Sequence, residues 1–415
     1  MTSVSSTVAD KRFGWVLVLV TFVLTALCFG GFGLVTVLIK PLGQELGWQR
    51  SEIAAAYTIA TISTALAGVA FGRISDVYGV RALSALGALT MAACLLLLSR
   101  ITALWQLYLL YAVFGALGHG AISVPLTAAV SNWFKVSRGL AVGIAMSGSA
   151  VGLGIVPLIA STVMADTGWR DAWLYLGLAY LVVGVPLALL VRNPPQTETL
   201  AHQASANRSP EQTPPVSPGE ALAWTCTAVI FCCICMAIPM IHVPALVGDL
   251  GLDVERSASV LTVIMLSGAV GRLIFGRITD RVGPLSSYIL ASFGQTALVF
   301  WFVQAPSLTS LYPVAVVFGL CFGGVMTGFL LTIRSLVPTR IAGTAMSLVY
   351  LFGWIGMGLG GYFGGLFFDW TGTYVTSFAL AAAAGAVNIA ILIALFVRLQ
   401  HASPPRLDIG QVQRA

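Results

Sequence analysis

Residues 68–79, GVAFGRISDVYG, and residues 272–283, RLIFGRITDRVG, are two copies of one twelve-residue pattern that lie 204 positions apart. Other pairs keep this offset or nearly keep it: Phe114-Gly115 with Phe318-Gly319, Gly139 with Gly343, and Asp166 with Asp369. The chain therefore consists of two related halves. The copies differ at their first residue, where Arg272 stands in an apolar run and its counterpart is Gly68. A charge that the fold does not require is a functional candidate.

The composition places the chain in a lipid bilayer. Of its 415 residues 58% are hydrophobic and only 9% are charged, too few charges for the surface of a soluble protein. A helix needs about 20 apolar residues to cross a bilayer. Twelve segments are long enough, six in each half: 13–39, 52–72, 82–99, 105–131, 140–163, 172–191, 221–246, 257–276, 285–303, 308–333, 343–366 and 374–397. The sequence therefore predicts an all-α membrane protein with twelve transmembrane helices.

Positive charges set the predicted orientation. With the N-terminus inside, the cytoplasmic segments carry fifteen Lys and Arg residues and the outer loops carry five. This bias predicts that both termini are cytoplasmic and that the protein lies in the plasma (inner) membrane. It also accounts for the net charge of +6 without a nucleic-acid partner.

A polar segment divides the two halves. Residues 192–220 contain six prolines among Ser, Thr, Gln and Glu, which predicts a flexible cytoplasmic linker. The predicted units are an N-terminal six-helix bundle (1–191), this linker, a C-terminal six-helix bundle (221–397) and a cytoplasmic tail (398–415). Because each half has an even number of spans, the halves are parallel and related by a pseudo-two-fold axis along the membrane normal. Transporters of this architecture bind substrate at mid-depth between the halves.

The repeated Gly-x-x-x-Asp-x-x-Gly pattern after the second and eighth spans resembles the loop motif of the major facilitator superfamily, and the resemblance covers essentially the whole chain. In that superfamily the charges of the motif latch the halves together in one conformation. The resemblance therefore predicts a conformational switch, with simple solvation of the loop charges as the alternative. The residues concerned are Gly72, Arg73, Asp76, Gly79, Arg81, Gly276, Arg277, Asp280, Arg281 and Gly283.

A narrower resemblance is to the monocarboxylate transporters and the oxalate/formate antiporters. It rests on residues 133–152, WFKVSRGLAVGIAMSGSAVG, on residues 168–170, GWR, and on Arg272 followed by Gly276. It implies that Arg272 binds a substrate carboxylate. The chain departs from animal members, which have an acidic residue at the position of Gly268 and a lysine in the first span. It also lacks the basic residue that the oxalate antiporter has in the eleventh span, so proton coupling through a buried carboxylate and binding of a dianion are both left open.

The cost of placing a charge inside a span also indicates that Arg272 is a functional residue. A guanidinium inside a span is costly unless it faces water, a partner or a substrate, and its planar set of donors fits a carboxylate. None of the fifteen Asp and Glu residues lies within a span interior to pair with it. The alternative is that the side chain extends to the membrane surface, since the span ends one helical turn later at Gly276.

Five other residues are candidates for the pocket. His119, which aligns with Gly323 of the other half, suits substrate or proton binding, or it is a buried neutral histidine. Tyr350 and Trp354 stand one turn apart on one helix face, so they line an organic-anion pocket or pack in the core. The remaining polar candidates are Ser123 and Asn388. His242, near the outer end of the seventh span, is expected to be a gate or interface residue.

The sequence thus predicts a secondary active transporter of a small organic anion, foremost a monocarboxylate, that works by proton symport or anion exchange. An exporter of apolar or drug-like compounds is the alternative, but it leaves Arg272 unexplained. The chain contains no nucleotide-binding loop, no metal-ligand pair and no nucleophile with a base, so we expect no enzyme activity, no cofactor and no metal. The expected partners are the anion, the bilayer and, in a symporter, protons, and the chain is expected to be a monomer.

Overall fold

The computed structural model describes residues 3–134, 138–192, 216–338 and 341–402. This part of the chain forms twelve helical segments and contains no β-strand. The first half comprises α1 (Ser3–Leu46), α2 (Arg50–Tyr78), α3 (Val80–Leu98), α4 (Leu104–Val113, Phe114–His119 and Gly120–Trp133), α5 (Arg138–Thr167) and α6 (Trp169–Ala179, Tyr180–Gly184 and Val185–Leu190). The second half comprises α7 (Pro218–Asp249), α8 (Val254–Val282), α9 (Pro284–Val299 and Trp301–Gln304), α10 (Leu308–Leu336), α11 (Ala342–Thr371) and α12 (Val375–Ala402).

The predicted all-α membrane architecture is confirmed. Eleven of the twelve described segments are long and apolar enough to cross a membrane. The remaining segment, α2, has 29 residues. Helix α7 begins at Pro218 rather than at the predicted residue 221, because Ser217 caps it by accepting a hydrogen bond from the Glu220 amide. Helix α12 continues past residue 397 to Ala402. Most of the predicted linker (193–215) and of the tail (403–415) lies outside the described residues.

Small residues allow the helices within each half to approach closely. Helix α1 lies along α5, α7 along α11, and α8 along α10. At Gly152 of α5, for example, an added Cβ would overlap the carbonyl oxygen of Ala26 in α1. Close backbone approach of this kind holds helices together in a bilayer, where the hydrophobic effect does not drive their association.

The two halves meet along two seams, α2 with α11 and α5 with α8. We name the ends of the bundle by residues. The Arg50 end contains the connections α1–α2, α7–α8 and α11–α12. The Gly283 end contains the connections α2–α3 and α8–α9, where the repeated sequence motif lies.

Both copies of the motif end in the same backbone turn. Gly79 has a φ of +78° and Gly283 a φ of +86°, a region that glycine adopts more easily than other residues. Each of the two donates its amide hydrogen to the carbonyl four residues earlier and so ends its helix. The next helix begins immediately, at Val80 or at Pro284. The turn itself therefore requires the last glycine of the motif.

A π-helical turn at Phe114–His119 makes α4 one residue longer than its counterpart α10. The two segments begin 204 positions apart and end 203 positions apart. Correspondingly, Gly120 approaches the backbone nitrogen of Gly68, as Gly323 approaches that of Arg272. Gly120 is thus the structural counterpart of Gly323, and the alignment of His119 with Gly323 is wrong by one residue. His119 lies in the extra turn, a feature that is frequent at functional sites.

Candidate functional site

Arg272 lies near the middle of α8 and has an unpartnered donor. It precedes the end of the helix at Val282 by ten residues, about 15 Å at 1.5 Å per residue. Its Nε atom is buried and has no hydrogen-bond partner. Among the described residues Arg272 forms no ion pair. Arg272 as a whole is partly buried. A charged group with a buried, unpartnered donor is costly, so the position suits a residue that awaits a ligand.

Tyr350 of α11 lies beside Arg272. The two groups are close enough to interact electrostatically. On its other side Tyr350 contacts Phe329 of α10, with ring centroids 5.9 Å apart. Tyr350 remains 43% exposed, so protein packing does not enclose it. Arg272 and Tyr350 therefore present a cation and a hydroxyl group to the same region.

Four rings from both halves form what we call the aromatic layer: Phe29 and Phe32 of α1, His119 of α4 and Trp354 of α11. The His119 ring stacks on Phe32 at a centroid distance of 4.7 Å and meets the edge of Phe29 at 4.8 Å. Trp354 stacks on Phe29 at 5.9 Å and meets His119 at 5.8 Å. Because Trp354 is one helical turn from Tyr350 toward the Arg50 end, the layer lies on that side of Arg272 and Tyr350.

Within the layer, Ser123 lies beside His119. The Ser123 hydroxyl is 3.3 Å from both ring nitrogens of His119 and can bond to one of them at a time. His119 is only 2% exposed, so it is a buried residue of the layer. The structure thus brings together His119, Ser123 and Trp354. It adds Phe29 and Phe32, which no sequence feature distinguishes among the 21 phenylalanines of the chain.

Asn388 lies elsewhere, inside the second half. It is 1% exposed, and its Oδ1 accepts a hydrogen bond of 3.4 Å from the hydroxyl of Tyr288 in α9. The structure therefore does not bring Asn388 to Arg272. Its amide instead satisfies a buried hydroxyl where α9 packs against α12.

At the Arg50 end an ion pair joins the two halves. The Arg50 guanidinium donates two hydrogen bonds to Asp249, at 2.7 and 2.8 Å, and one to the Tyr374 hydroxyl, at 2.9 Å. Its central carbon lies 3.7 Å from the centroid of the Phe368 ring. Lys40 adds a hydrogen bond of 2.5 Å to the carbonyl of Gly248 in the other half. Paired donors of this kind form the stronger class of protein hydrogen bonds.

A carboxylate of the second half also caps a helix of the first. Asp369 accepts hydrogen bonds from the backbone amides of Arg50 and Ser51, at 3.1 and 2.8 Å, and so satisfies the N-terminus of α2. Burial raises the pKa of Tyr374, although Arg50 opposes this shift, so the phenol keeps its proton. We call Arg50, Asp249, Asp369 and Tyr374 the Arg50 latch. Sequence reasoning missed it, since single charges at span ends carry no pairing signal.

The repeated motif lies at the Gly283 end. Arg81, Arg277, Asp280 and Arg281 are exposed, and none of them forms an ion pair within the described residues. An added Cβ at Gly276 would meet open space. Beyond their helical backbone, Gly72, Arg73 and Asp76 lie outside what the structure describes. The conformational role of the motif therefore stays a prediction.

Two similar six-helix halves, joined at one end and carrying an unpaired guanidinium within a long apolar helix, define a secondary transporter of the alternating-access type. The family model of the Major Facilitator Superfamily matches residues 21–361. The chain belongs to this superfamily, as its loop motif predicted. The family consists of transporters, so the protein is a transporter and not an enzyme.

Individual proteins are similar to the chain at lower identity. Monocarboxylate transporter 13 of Rattus norvegicus is 28% identical over 396 residues, which cover 93% of this chain and 90% of that protein. The aspyridones efflux protein of Emericella nidulans is 22% identical over 320 residues, covering 76% of this chain and 61% of the fungal protein.

Solved structures share the fold. A crystal structure of the nucleoside transporter NupG superimposes with a TM-score of 0.73 at 14% identity, over 92% of this chain and all of that chain. A D-xylose-proton symporter superimposes with a TM-score of 0.71, also at 14% identity, over 91% of this chain and 96% of that one.

Proposed function

We propose that this transporter moves a small organic anion, foremost a monocarboxylate, and that Arg272 binds its carboxylate. The observation that carries the proposal is that the Nε atom of Arg272 is buried and has no hydrogen-bond partner. A carboxylate supplies both the negative charge and the acceptor oxygens that this guanidinium lacks. The Tyr350 hydroxyl is a second donor for the same ligand. Trp354 and the aromatic layer offer an apolar wall to the carbon skeleton.

Charge balance favours a single negative charge on the substrate. Arg272 is the one cation that we assign to this region, and a second buried anionic group would remain uncompensated. The rat relative, whose name describes monocarboxylate transport, supports the same class.

The proposed orientation has both termini in the cytoplasm and the protein in the plasma (inner) membrane, as the distribution of Lys and Arg favours. The Arg50 end then faces outward, and the Arg50 latch closes it. Transport requires this latch to open. The charges of the repeated motif are proposed to close the Gly283 end in the alternate conformation.

Two modes of coupling fit the site. In proton symport, a proton bound within the anion site must travel on His119 or on the substrate carboxyl, because Gly268 occupies the position of the acidic residue in animal monocarboxylate transporters. In anion exchange, a second anion returns through the same site and no protein group needs to titrate. Dependence of uptake on an imposed pH gradient indicates symport, whereas dependence on a counter-anion inside the vesicle indicates exchange.

Export of apolar compounds is the second candidate. The name of the fungal relative describes efflux of aspyridones, which favours this reading. An apolar cargo would leave Arg272 without a counter-charge during transport. The two readings therefore differ in one measurable property, the dependence of transport on Arg272.

The experiment is uptake and binding of a labelled panel of carboxylates in proteoliposomes. The panel compares monocarboxylates with dicarboxylates and uncharged analogues, for the native protein, Arg272→Ala and Arg272→Lys. Arg256→Ala is the matched control, because Arg256 lies on the same helix but is 62% exposed. Loss of monocarboxylate transport in both Arg272 variants, with the control unchanged, supports the proposal. Undiminished transport in Arg272→Ala overturns it and favours export.

A further inference from the structure

His242 connects a titratable group to the Arg50 latch. It lies on α7, is fully buried (0% exposed), and fits so tightly that a Cβ at Gly364 would overlap its ring. Its Nε2 is 2.8 Å from the carbonyl oxygen of Gly361, and its Nδ1 is 3.3 Å from the Tyr374 hydroxyl. The same hydroxyl is 2.9 Å from Nη1 of Arg50. The proposed anion site does not use any of these contacts.

The partners fix the direction of each hydrogen bond. The carbonyl of Gly361 can only accept, so Nε2 of His242 carries a hydrogen. The guanidinium of Arg50 can only donate, so the oxygen of Tyr374 accepts from it. The hydrogen of the Tyr374 hydroxyl is then free to be donated to Nδ1 of His242. Every donor and acceptor in this series of hydrogen bonds is satisfied when the imidazole is neutral, with its hydrogen on Nε2.

A second proton on the imidazole would disrupt this series of hydrogen bonds. Nδ1 would become a donor facing the Tyr374 hydroxyl, whose oxygen already accepts from Arg50 and whose own hydrogen would lose its acceptor. It would also place a second, fully buried positive charge near Arg50. Asp369 would favour the charged ring, but its carboxylate already accepts two amide hydrogens of α2. Asp249 and Lys40 lie behind Arg50 in the same cluster.

We propose that His242 is a proton-binding site and that its protonation and the closure of the Arg50 end exclude each other. The closed latch holds the imidazole neutral. When the Arg50 end opens, Arg50 leaves with the first half, while Tyr374 stays beside His242 in the second half. The Tyr374 oxygen is then free to accept from Nδ1, and water reaches the imidazole, so His242 binds a proton from that compartment. Acid on this side therefore stabilises the conformation open to it. This inference does not depend on which substrate is transported.

The experiment measures the opening of the Arg50 end against pH. Spin labels at Gln44→Cys and Glu255→Cys report the distance between the halves, since both positions are exposed at this end and all seven native cysteines are buried. In the full-length protein we expect the open population to rise as pH falls from about 8 to 5. For one linked proton, the ratio of open to closed protein changes at most about tenfold per pH unit.

His242→Gln keeps a neutral donor and acceptor, so the variant is expected to stay closed at both pH values. The control His401→Gln removes an exposed histidine at the other end of the bundle and is expected to keep the native response. Tyr374→Phe provides a second test that leaves the imidazole intact, and it is expected to weaken the pH response because the link to Arg50 is cut. A native pH response in His242→Gln, or in Tyr374→Phe if the first variant does not fold, overturns the proposal.

Discussion

The hydroxyl of Thr262 in α8 donates a hydrogen bond of 2.8 Å to the carbonyl oxygen of Gly154 in α5. The other seam contains its counterpart, where Thr58 of α2 donates at 2.7 Å to the carbonyl oxygen of Gly358 in α11. The two donors, Thr58 and Thr262, are 204 positions apart, and so are the two acceptors, Gly154 and Gly358, which is the offset of the duplication. The pseudo-two-fold axis therefore relates individual hydrogen bonds between the halves as well as helices.

Replacement of either threonine by valine is expected to destabilise the closed arrangement by a similar amount, because the two bonds are equivalent. An interhelical hydrogen bond in a membrane protein contributes about 0.6 to 1.7 kcal/mol. We expect Thr58→Val and Thr262→Val each to lower the thermal unfolding midpoint in detergent. Thr162→Val serves as the control, since its exposed hydroxyl bonds only within α5. A large effect at one position and none at the other would contradict the proposed equivalence.

Loss of the Arg50–Asp249 pair is expected to open the Arg50 end. Hydrogen bonds to charged groups contribute about 1.5 to 3 kcal/mol each. The two side chains are 17% and 31% exposed, so solvent screening places the effect at the lower end of that range. Asp249→Asn should therefore shift the equilibrium roughly tenfold toward the open state, as seen by the spin-label distance. Equal closure of native protein and variant would show that the pair does not hold this end.

Asp369→Asn tests the cap of α2 separately from the ion pair. The neutral amide is a poorer acceptor for the amides of Arg50 and Ser51 and loses the favourable interaction with the helix dipole, about 0.3 to 1 kcal/mol. We expect a smaller opening than for Asp249→Asn, and an additional one when both changes are combined. Hydrogen exchange at the first turn of α2 is the direct measurement. Unchanged protection there would show that Asp369 is not needed as a cap.

The sequence predicts the fold well because the features that indicate it extend over many residues. Twelve apolar segments and a repeat at a fixed offset predict the spans, the two halves and the relation between them. The offset fails at His119, because a single extra residue is absorbed as a π-helical turn within α4 and leaves no gap in the apolar pattern. Helical periodicity contains no information on such a one-residue insertion.

The candidate site is predicted less completely. Arg272 stands out because a lone charge in an apolar run is costly, and Tyr350 follows from its spacing with Trp354. The Arg50 latch depends instead on contacts between residues about 200 to 320 positions apart, which only the packing of the two halves establishes. Asn388 is predicted as a pocket residue but packs inside the second half. The polarity of a residue in a span does not reveal whether its side chain faces the other half or its own.

Gly152→Ala is expected to disrupt the packing of α5 against α1. The added methyl group would overlap the backbone carbonyl of Ala26 in α1, the helix along which α5 lies. Overpacking of this kind costs about 1 to 3 kcal/mol, so we expect a lower unfolding midpoint and reduced yield of folded protein. Gly143→Ala on the same helix is the control, because nothing lies within 4 Å of the added atom. A stable Gly152→Ala variant with slowed transport would instead indicate that α5 bends at this glycine during transport.

Tyr350 and Asn388 are expected to separate ligand binding from stability. Tyr350→Phe removes a hydroxyl beside Arg272 and leaves the contact with Phe329, so we expect weaker carboxylate binding by about fivefold to tenfold, from a hydrogen bond of about 1 to 1.5 kcal/mol, and little change in unfolding. Asn388→Leu leaves the buried Tyr288 hydroxyl without its acceptor, which costs about 1 to 3 kcal/mol, so the unfolding midpoint should fall while carboxylate affinity is retained. Calorimetric titration of a monocarboxylate, together with thermal unfolding of the same preparations, measures both quantities. If Asn388→Leu lowers affinity as much as Tyr350→Phe does, the pocket extends to the contact between α9 and α12, and the assignment of Asn388 to internal packing is wrong.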